Sequence, residues 1–155
     1  MVWLLLAVYQ LKHFVADYPL QTPYMLKKFL PGKDFIKPLA AHAGVHALFT
    51  LLIALAVNPK LAIPLALLDF VVHFIVDRIK ASPKMLGKYK SLSAGEFKTL
   101  NDEIVSIKKL SPGSSYELWK INKQFKHNKY FWLALGADQM CHHLTHYIII
   151  YLLIL

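Results

Sequence analysis

The stretch Asp69-Phe70-Val71-Val72-His73-Phe74-Ile75-Val76-Asp77 decides the fold class, because three ionisable side chains recur in it at a spacing of four. It lies within an apolar run, residues 61–79, that is long enough to sit in a lipid bilayer. In a helix this spacing places Asp69, His73 and Asp77 on one face. Each charged group at the centre of a membrane helix costs about 2.5–3.5 kcal/mol. We therefore expect compensating partners, and a divalent metal ion shared with neighbouring helices is the first candidate.

The composition favours an integral membrane protein over a soluble domain. Hydrophobic residues make up 56% of the 155 residues and charged residues 17%, against roughly 25% charged in an average soluble protein. The single cysteine, Cys141, excludes an intrachain disulfide. The N-terminal segment has no basic region and no small-residue cleavage site, so we interpret it as a retained membrane helix and not as a signal peptide.

The apolar segments predict an all-α integral membrane protein with four transmembrane helices. The predicted spans are residues 2–18, 38–57, 61–79 and 130–155. Residues 80–129 are polar and basic, and two capping-box patterns followed by amphipathic spacing predict a cytoplasmic helical hairpin there. The length indicates that residues 1–155 form a single membrane domain.

The distribution of basic residues predicts the orientation in the membrane. Residues 23–37 contain four Lys, residues 78–129 contain twelve Lys and Arg, and residues 58–60 contain one Lys. By the positive-inside rule the two strongly basic connectors face the cytoplasm, which places both termini outside. We expect this protein in the bacterial cytoplasmic (inner) membrane, with its basic connectors against the anionic cytoplasmic leaflet.

Ionisable residues recur at a spacing of four on every predicted span. The sets are His13/Asp17, His42/His46, Asp69/His73/Asp77 and Asp138/His142/His146. With a rise of about 1.5 Å per residue and alternating helix directions, these groups overlap in depth in the cytoplasmic half of the bilayer. His146 is the deepest and is expected to support or pack against the others. His143 lies about 100° round the helix from His142 and is expected to face another environment.

These residue types suit metal chemistry, because imidazole and carboxylate groups are ligands for Zn²⁺ and for Fe or Mn ions. We predict one or two divalent ions, with Zn²⁺ as the first choice and Mn or Fe as alternatives. The predicted metal ligands are His13, Asp17, His42, His46, His73, Asp77, Asp138 and His142. Bound metal makes hydroxide available at neutral pH, and a surplus carboxylate, Asp17 or Asp69, can then act as general base.

Four motifs occur in order along nearly the whole chain. They are His13-Phe14-Val15-Ala16-Asp17-Tyr18-Pro19-Leu20-Gln21-Thr22, then His42, then His73-Phe74-Ile75-Val76-Asp77-Arg78-Ile79-Lys80, then Asp138-Gln139-Met140-Cys141-His142. This pattern resembles a bacterial and phage membrane-protein family known as domain of unknown function 3307. The resemblance implies that Gln21, Lys80 and Gln139 belong to the site. The family is also similar in style to membrane-bound metal-dependent hydrolases, which is an analogy only.

Three classes of function are compatible with the sequence. The first is an intramembrane metal-dependent hydrolase acting on a lipid-like, phosphoester or amide substrate, with Asp17, Asp69, Lys80 and Gln21 in catalytic roles and Lys80 as the contact for an anionic group. The second is a non-enzymatic, phage-type effector with a structural metal and a membrane or virion protein partner.

The third class is a proton or ion pathway, since buried Asp and His chains are the usual material of proton relays. A pathway needs polar groups across the full depth of the membrane, and the outer halves of the first three spans carry almost none. We expect no nucleic-acid partner, because the basic connector has few aromatic residues and no recognition motif.

Overall fold

The computed structural model describes residues 1–30, 32–82, 85, 99, 102–107 and 128–155, with side chains from Trp132 onward in the last range. Every regular element in these ranges is a helix. In chain order they are α1 (Val2–Asp17), a 3₁₀ helix (Met25–Phe29), α2 (Ile36–Val57), a 3₁₀ helix (Pro59–Leu61), α3 (Ala62–Ala81) and α4 (Asn128–Ile154). The all-α expectation is therefore confirmed for the described residues.

The chain divides into two compact units. The first consists of residues 1–85 and 138–155, and the second of residues 86–137. In the second unit residues 102–107 are helical, and the hydroxyl of Ser106 donates a hydrogen bond to the carbonyl oxygen of Asp102 at 2.9 Å. Most of the helical hairpin expected within residues 80–129 lies outside the described residues, and the single-domain interpretation stays a prediction.

The helices end where the sequence interrupts their backbone pattern. After α1, Tyr18 departs from regular helical geometry (φ −114°, ψ −74°) and Pro19 follows. After α2, Asn58 leaves the helical region (φ −146°, ψ 88°), and Pro59 starts the next 3₁₀ turn because its ring fixes φ. In the connector between α1 and α2, Gly32 has a φ of 69°, in the left-handed region that favours glycine, so the chain can turn back into α2.

α2 and α3 pack against each other as an antiparallel pair. His42 on α2 lies 3.0 Å from Asp77 on α3, and Thr50 lies 2.7 Å from Asp69. Moving forward along α2 from one pair to the other therefore means moving backward along α3. This register faces the polar positions of the two helices towards each other.

An apolar cluster packs one end of the four helices together. Its buried members are Leu5, Tyr9, Ala54, Ala62, Leu65, Ile149, Ile150 and Leu153. They come from the beginnings of α1 and α3 and from the ends of α2 and α4. The helices consequently alternate in direction, and the chain leaves this end along α1 and returns to it along α4.

Large apolar side chains face outward on all four helices of the first unit. Examples are Phe14 on α1, Leu52 on α2, Leu67 on α3 and Ile148 on α4, which are between 55% and 60% exposed. Most of the ionisable residues of the same helices are buried or half-buried, as described below. This distribution is the reverse of a soluble helical bundle, in which the apolar stripe faces the core.

Two helices among the described residues are long and apolar enough to cross a membrane. They are Ile36–Val57, with a mean hydropathy of 1.9, and Pro59–Ala81, with 1.8. α1 has only 16 residues, which span about 24 Å against a hydrocarbon core of about 30 Å. Two possible spans are thus shown, and the expectation of four stays a prediction.

Candidate functional site

Buried and half-buried polar side chains fill the interior of the first unit, next to the apolar cluster. We call them the polar cluster. Its members are Lys12, His13, Asp17, Lys28, His42, His46, Thr50, Asp69, His73, Asp77, Lys80, Asp138, Gln139, His142 and His146. They come from α1 to α4 and from the 3₁₀ helix between α1 and α2. The structure therefore brings together all eight residues that the sequence predicts as metal ligands.

Asp17 lies among three imidazoles from two helices. His46 Nε2 lies within hydrogen-bond distance of Asp17 Oδ1, at 3.0 Å, and His42 Nε2 lies 3.4 Å from the same oxygen. His13 Nε2 lies 3.2 Å from Asp17 Oδ2 and 3.0 Å from Gln139 Oε1. We call His13, Asp17 and His46 the Asp17 group. The Asp17 side chain is 19% exposed, so this group lies at the edge of the buried region.

A second group of ionisable side chains lies where α3 packs against α4. His142 Nε2 lies 3.4 Å from Asp77 Oδ1 and 3.6 Å from Asp138 Oδ1. We call Asp77, Asp138 and His142 the Asp138 group. The amide of Gln139 donates to Asp138 Oδ2 at 3.3 Å. Because its amide oxygen contacts His13, Gln139 links the Asp138 group to the Asp17 group.

Asp69 is the centre of the innermost contacts. Lys12 Nζ lies 2.5 Å from Asp69 Oδ2, and the hydroxyl of Thr50 donates to the same oxygen at 2.7 Å. The other oxygen, Oδ1, lies 3.0 Å from His73 Nδ1 and 3.7 Å from His146 Nε2. Lys12 Nζ is also 3.1 Å from His146 Nε2. Asp69 thus carries a full set of contacts on one oxygen and faces imidazoles with the other.

Three of the four buried carboxylates repeat one arrangement. Lys12 contacts Asp69 Oδ2, Lys28 contacts Asp77 Oδ2 at 2.7 Å, and Lys80 contacts Asp138 Oδ2 at 2.5 Å. In each case Oδ1 is left towards one or more imidazoles. Asp17 differs, since histidines alone surround its carboxylate among the described residues. The lysines therefore neutralise three carboxylates while Oδ1 of each faces an imidazole; at Asp77 the lysine-bound Oδ2 also lies 3.0 Å from His42 Nε2.

The ring of His73 connects the groups. Its centroid lies 3.8 Å from that of His46 and 4.0 Å from that of His142, with stacked planes on both sides. His13 lies within 6 Å of both His73 and His146, measured between ring centroids. We call His13, His73 and His146 the inner histidine group. The ring of His73 therefore lies between His46 of the Asp17 group and His142 of the Asp138 group.

Several nitrogen and oxygen atoms inside the polar cluster have no hydrogen-bond partner in the described part of the chain. They include His42 Nε2, His73 Nε2, Asp69 Oδ1 and Asp138 Oδ1. His42 Nε2 lies 3.0 Å from Asp77 Oδ2 but is not aligned to donate to it. Buried polar atoms are almost always satisfied. Unpaired buried nitrogen and oxygen atoms that converge on one another are a typical feature of a cation-binding site.

The donor spacing fits a divalent metal. In the Asp17 group, the Asp138 group and the inner histidine group, one donor atom per residue lies within 4.8 Å of the others. In a tetrahedral site with bonds of about 2.0–2.1 Å, neighbouring donors are about 3.3 Å apart. The separations of 3.4 and 3.6 Å from His142 Nε2 to its two carboxylates are close to that value, and Asp17 has a histidine nitrogen at 3.0 Å from one oxygen and another at 3.2 Å from the other. Nitrogen and oxygen donors without thiolate suit Zn²⁺, Mn²⁺ or Fe²⁺.

Sequence reasoning missed three members of the polar cluster. Thr50 continues the spacing of four that begins with His42 and His46, so extending that pattern by one step would have found it. Lys12 precedes His13 on the same apolar segment, and its charge in that segment was a signal. Lys28 belongs to a connector, and only the folded chain shows that its side chain points inward to Asp77.

Other predicted residues lie elsewhere. Gln21 is half-buried in the connector after α1, and no hydrogen bond among the described residues joins it to the polar cluster. His143 is half-buried and lies 3.3 Å from Gln10; its ring centroid is 5.4 Å from that of His13, but His143 is absent from the three donor groups. Cys141 is exposed. His127 lies outside the described residues.

Comparison with known proteins places the chain in a family but gives no activity. No curated protein matches the sequence, and no solved structure matches it. A family model described as "Protein of unknown function (DUF3307)" matches residues 4–155. That match covers nearly the whole chain, including all four helices and every residue of the polar cluster. The protein therefore belongs to the DUF3307 family.

Proposed function

We propose that this protein is an intramembrane, metal-dependent hydrolase. One observation carries the proposal: lysines hold one oxygen of Asp69, Asp77 and Asp138, while the other oxygen of each faces histidine nitrogens. Groups that contact a metal ligand from outside orient it and tune its basicity. An assembly that needed only charge balance would not leave Asp69 Oδ1 and Asp138 Oδ1 directed at imidazoles without a hydrogen bond.

The distribution of surfaces supports a place in the membrane. Outward-facing apolar side chains and a buried polar interior suit a lipid environment, in which charged residues face the bundle interior and pair with one another. The apolar cluster lies at the end of the helices where α1 begins and α4 ends. The opposite end carries four lysines of the connector between α1 and α2, which are Lys27, Lys28, Lys33 and Lys37. The positive-inside rule then orients both termini outside a bacterial inner membrane.

We assign two metal sites. The first uses the Asp17 group, with His42 beside it, and the second uses the Asp138 group. His73, stacked between His46 and His142, contributes its unpaired Nε2 at the junction. Zn²⁺ is the first choice, with Mn or Fe as alternatives. A divalent ion here would supply a Lewis acid and a hydroxide nucleophile at neutral pH.

The accessible members of the cluster take the catalytic roles. Asp17 and Lys80 are the carboxylate and ammonium at its edge, with side chains 19% and 22% exposed. Asp17 is placed to accept a proton from the attacking water, and Lys80 to contact an anionic group of the substrate. Asp69 is fully buried against Lys12 and Thr50, so in this proposal it orients His73 and is not the base.

The apolar cluster argues against a proton or ion pathway. Leu5, Leu65 and Leu153 are among the buried side chains that close the end of the helices beyond Asp69. A pathway requires polar groups or water through the full depth of the membrane.

A non-enzymatic effector with a membrane or virion protein partner differs from the hydrolase in one respect. Its metal sites would have no open coordination position for a substrate.

The proposal is tested by elemental analysis of the protein purified in detergent without chelators. We expect two equivalents of metal per chain, and hydrolysis of at least one ester or amide in a panel of lipid-like substrates. Asp77→Ala should remove the metal of the second site, and His73→Ala, at the junction, should lower the metal content of both sites; each should abolish activity while the protein still inserts. His143→Ala is the matched control, because this neighbouring histidine lies outside the donor groups. A metal-free wild-type protein would refute the proposal, and stoichiometric metal without turnover would favour the effector.

A further inference from the structure

A cavity of about 470 Å³ opens beside the start of α2, apart from the donor groups. Lys27, Lys33 and Lys37 line it, and Asp34 is the one carboxylate among the described lining residues. No ion pair joins Asp34 to these lysines in the described part of the chain. The cavity therefore presents three ammonium groups against one carboxylate, and its cationic charge is available to a ligand.

The rest of the cavity lining is largely apolar. Leu30 and Ile36 are 40% and 42% exposed and face the same space. A small hydrated anion gains nothing from such a surface. Two contributions favour the binding of an amphiphile. Its anionic head contacts the lysines, and its first methylene groups are removed from water when they pack against the apolar side chains. The lining thus favours an amphiphile over a free anion.

Contacts from α3 hold this cavity in place relative to the polar cluster. The guanidinium of Arg78 donates to the carbonyl oxygens of Lys28 and Leu30 at 3.3 and 3.4 Å. Arg78 also lies 3.4 Å from the ring centroid of Phe35. Lys27 lines the cavity, and the next residue, Lys28, contacts Asp77 in the polar cluster. The backbone that lines the cavity is therefore connected through Lys28 to the Asp138 group.

We propose that this cavity binds the phosphate headgroup of an anionic lipid, with the adjoining carbons of the lipid against Leu30 and Ile36. Each lysine near a headgroup is expected to contribute about fivefold in affinity. A zwitterionic headgroup carries its own ammonium and gains much less from the three lysines. Lipid binding in this cavity does not depend on catalysis. The further idea that the bound lipid is a substrate rests on the proposed hydrolase function.

The test measures lipid binding to the intact chain in a neutral detergent by native mass spectrometry. The probes are phosphatidylglycerol, phosphatidylcholine with the same acyl chains, and inorganic phosphate. We expect phosphatidylglycerol to bind most tightly, and Lys33→Gln with Lys37→Gln to weaken it about 25-fold, as two lysines at about fivefold each require. Lys60→Gln, an exposed lysine in the turn between α2 and α3, is the matched control and should change nothing.

Equal binding of the two lipids, or an unchanged affinity in the double variant, would overturn the proposal. Inorganic phosphate binding as tightly as phosphatidylglycerol would also overturn it, in favour of a free anion. The Asp17→Asn variant separates this proposal from the hydrolase. It should keep full affinity for phosphatidylglycerol even though its metal site is impaired, so lipid binding can succeed or fail independently of catalysis.

Discussion

Lys12 Nζ lies 2.5 Å from Asp69 Oδ2, and both side chains are buried. The pair joins α1 to α3 at the inner end of the polar cluster, directly beside the apolar cluster. A buried charge that loses its partner is strongly destabilising, typically by about 3–5 kcal/mol. The Lys12–Asp69 pair is therefore a structural element of the helix packing, whatever chemistry the outer groups perform.

This relationship gives a stability prediction. Lys12→Met and Asp69→Asn should each lower the free energy of unfolding by about 3–5 kcal/mol, because each leaves one buried charge unpaired. The double variant should lose less than the sum, since neither charge remains. A double-mutant cycle from unfolding in detergent measures the coupling. Strictly additive losses would show that the two groups do not interact.

A smaller effect is expected for Thr50→Val, which replaces the hydroxyl by a methyl group of similar size. The hydroxyl donates to Asp69 Oδ2 at 2.7 Å, and a hydrogen bond to a charged group contributes about 1.5–3 kcal/mol. Unfolding should show a loss of that order, with the metal content unchanged. Loss of metal from this variant would mean that Thr50 supports the donor groups directly.

The spacing of four predicted much of the site because helical periodicity is a local property. His42 and His46 must share a helix face wherever α2 packs, and the same holds for Asp69, His73 and Asp77. Which oxygen of each aspartate contacts a lysine, and which faces the imidazoles, is not a local property. It depends on Lys28 and Lys80 arriving from a connector and from the far end of α3, which only tertiary packing decides.

The same reasoning explains which helices the sequence alone could predict. α2 and α3 satisfy the apolar length criterion by themselves, so they were readable from sequence. α1 is too short to do so, and its place is set by contacts such as that of His13 with Gln139 on α4. Gln21 was included only by resemblance to the family motif, and no contact in the described residues connects it to the cluster.

The two assigned metal sites should be separable. Asp17→Asn should remove one of two metal equivalents and Asp138→Asn the other, because the two groups share no residue. Each variant should retain about half of the wild-type metal under saturating conditions. Metal analysis of both variants and of their combination checks this. Complete loss in either single variant would instead indicate one shared centre bridged through His73.

The inner histidine group should hold no metal in the wild-type protein, because Lys12 already supplies its cation. Lys12 Nζ lies 3.1 Å from His146 Nε2 and contacts Asp69, where a metal would have to bind. Lys12→Met removes that charge and leaves His73 Nδ1 and His146 Nε2 beside an unneutralised Asp69 carboxylate, while His13 stays with the first metal site. We therefore expect a third metal equivalent in this variant, detected by elemental analysis. The Lys12→Met, Asp69→Asn double variant is the control, since loss of the carboxylate should abolish the extra equivalent. If a folded Lys12→Met protein contains the same amount of metal as the wild type, the lysine does not set the number of ions.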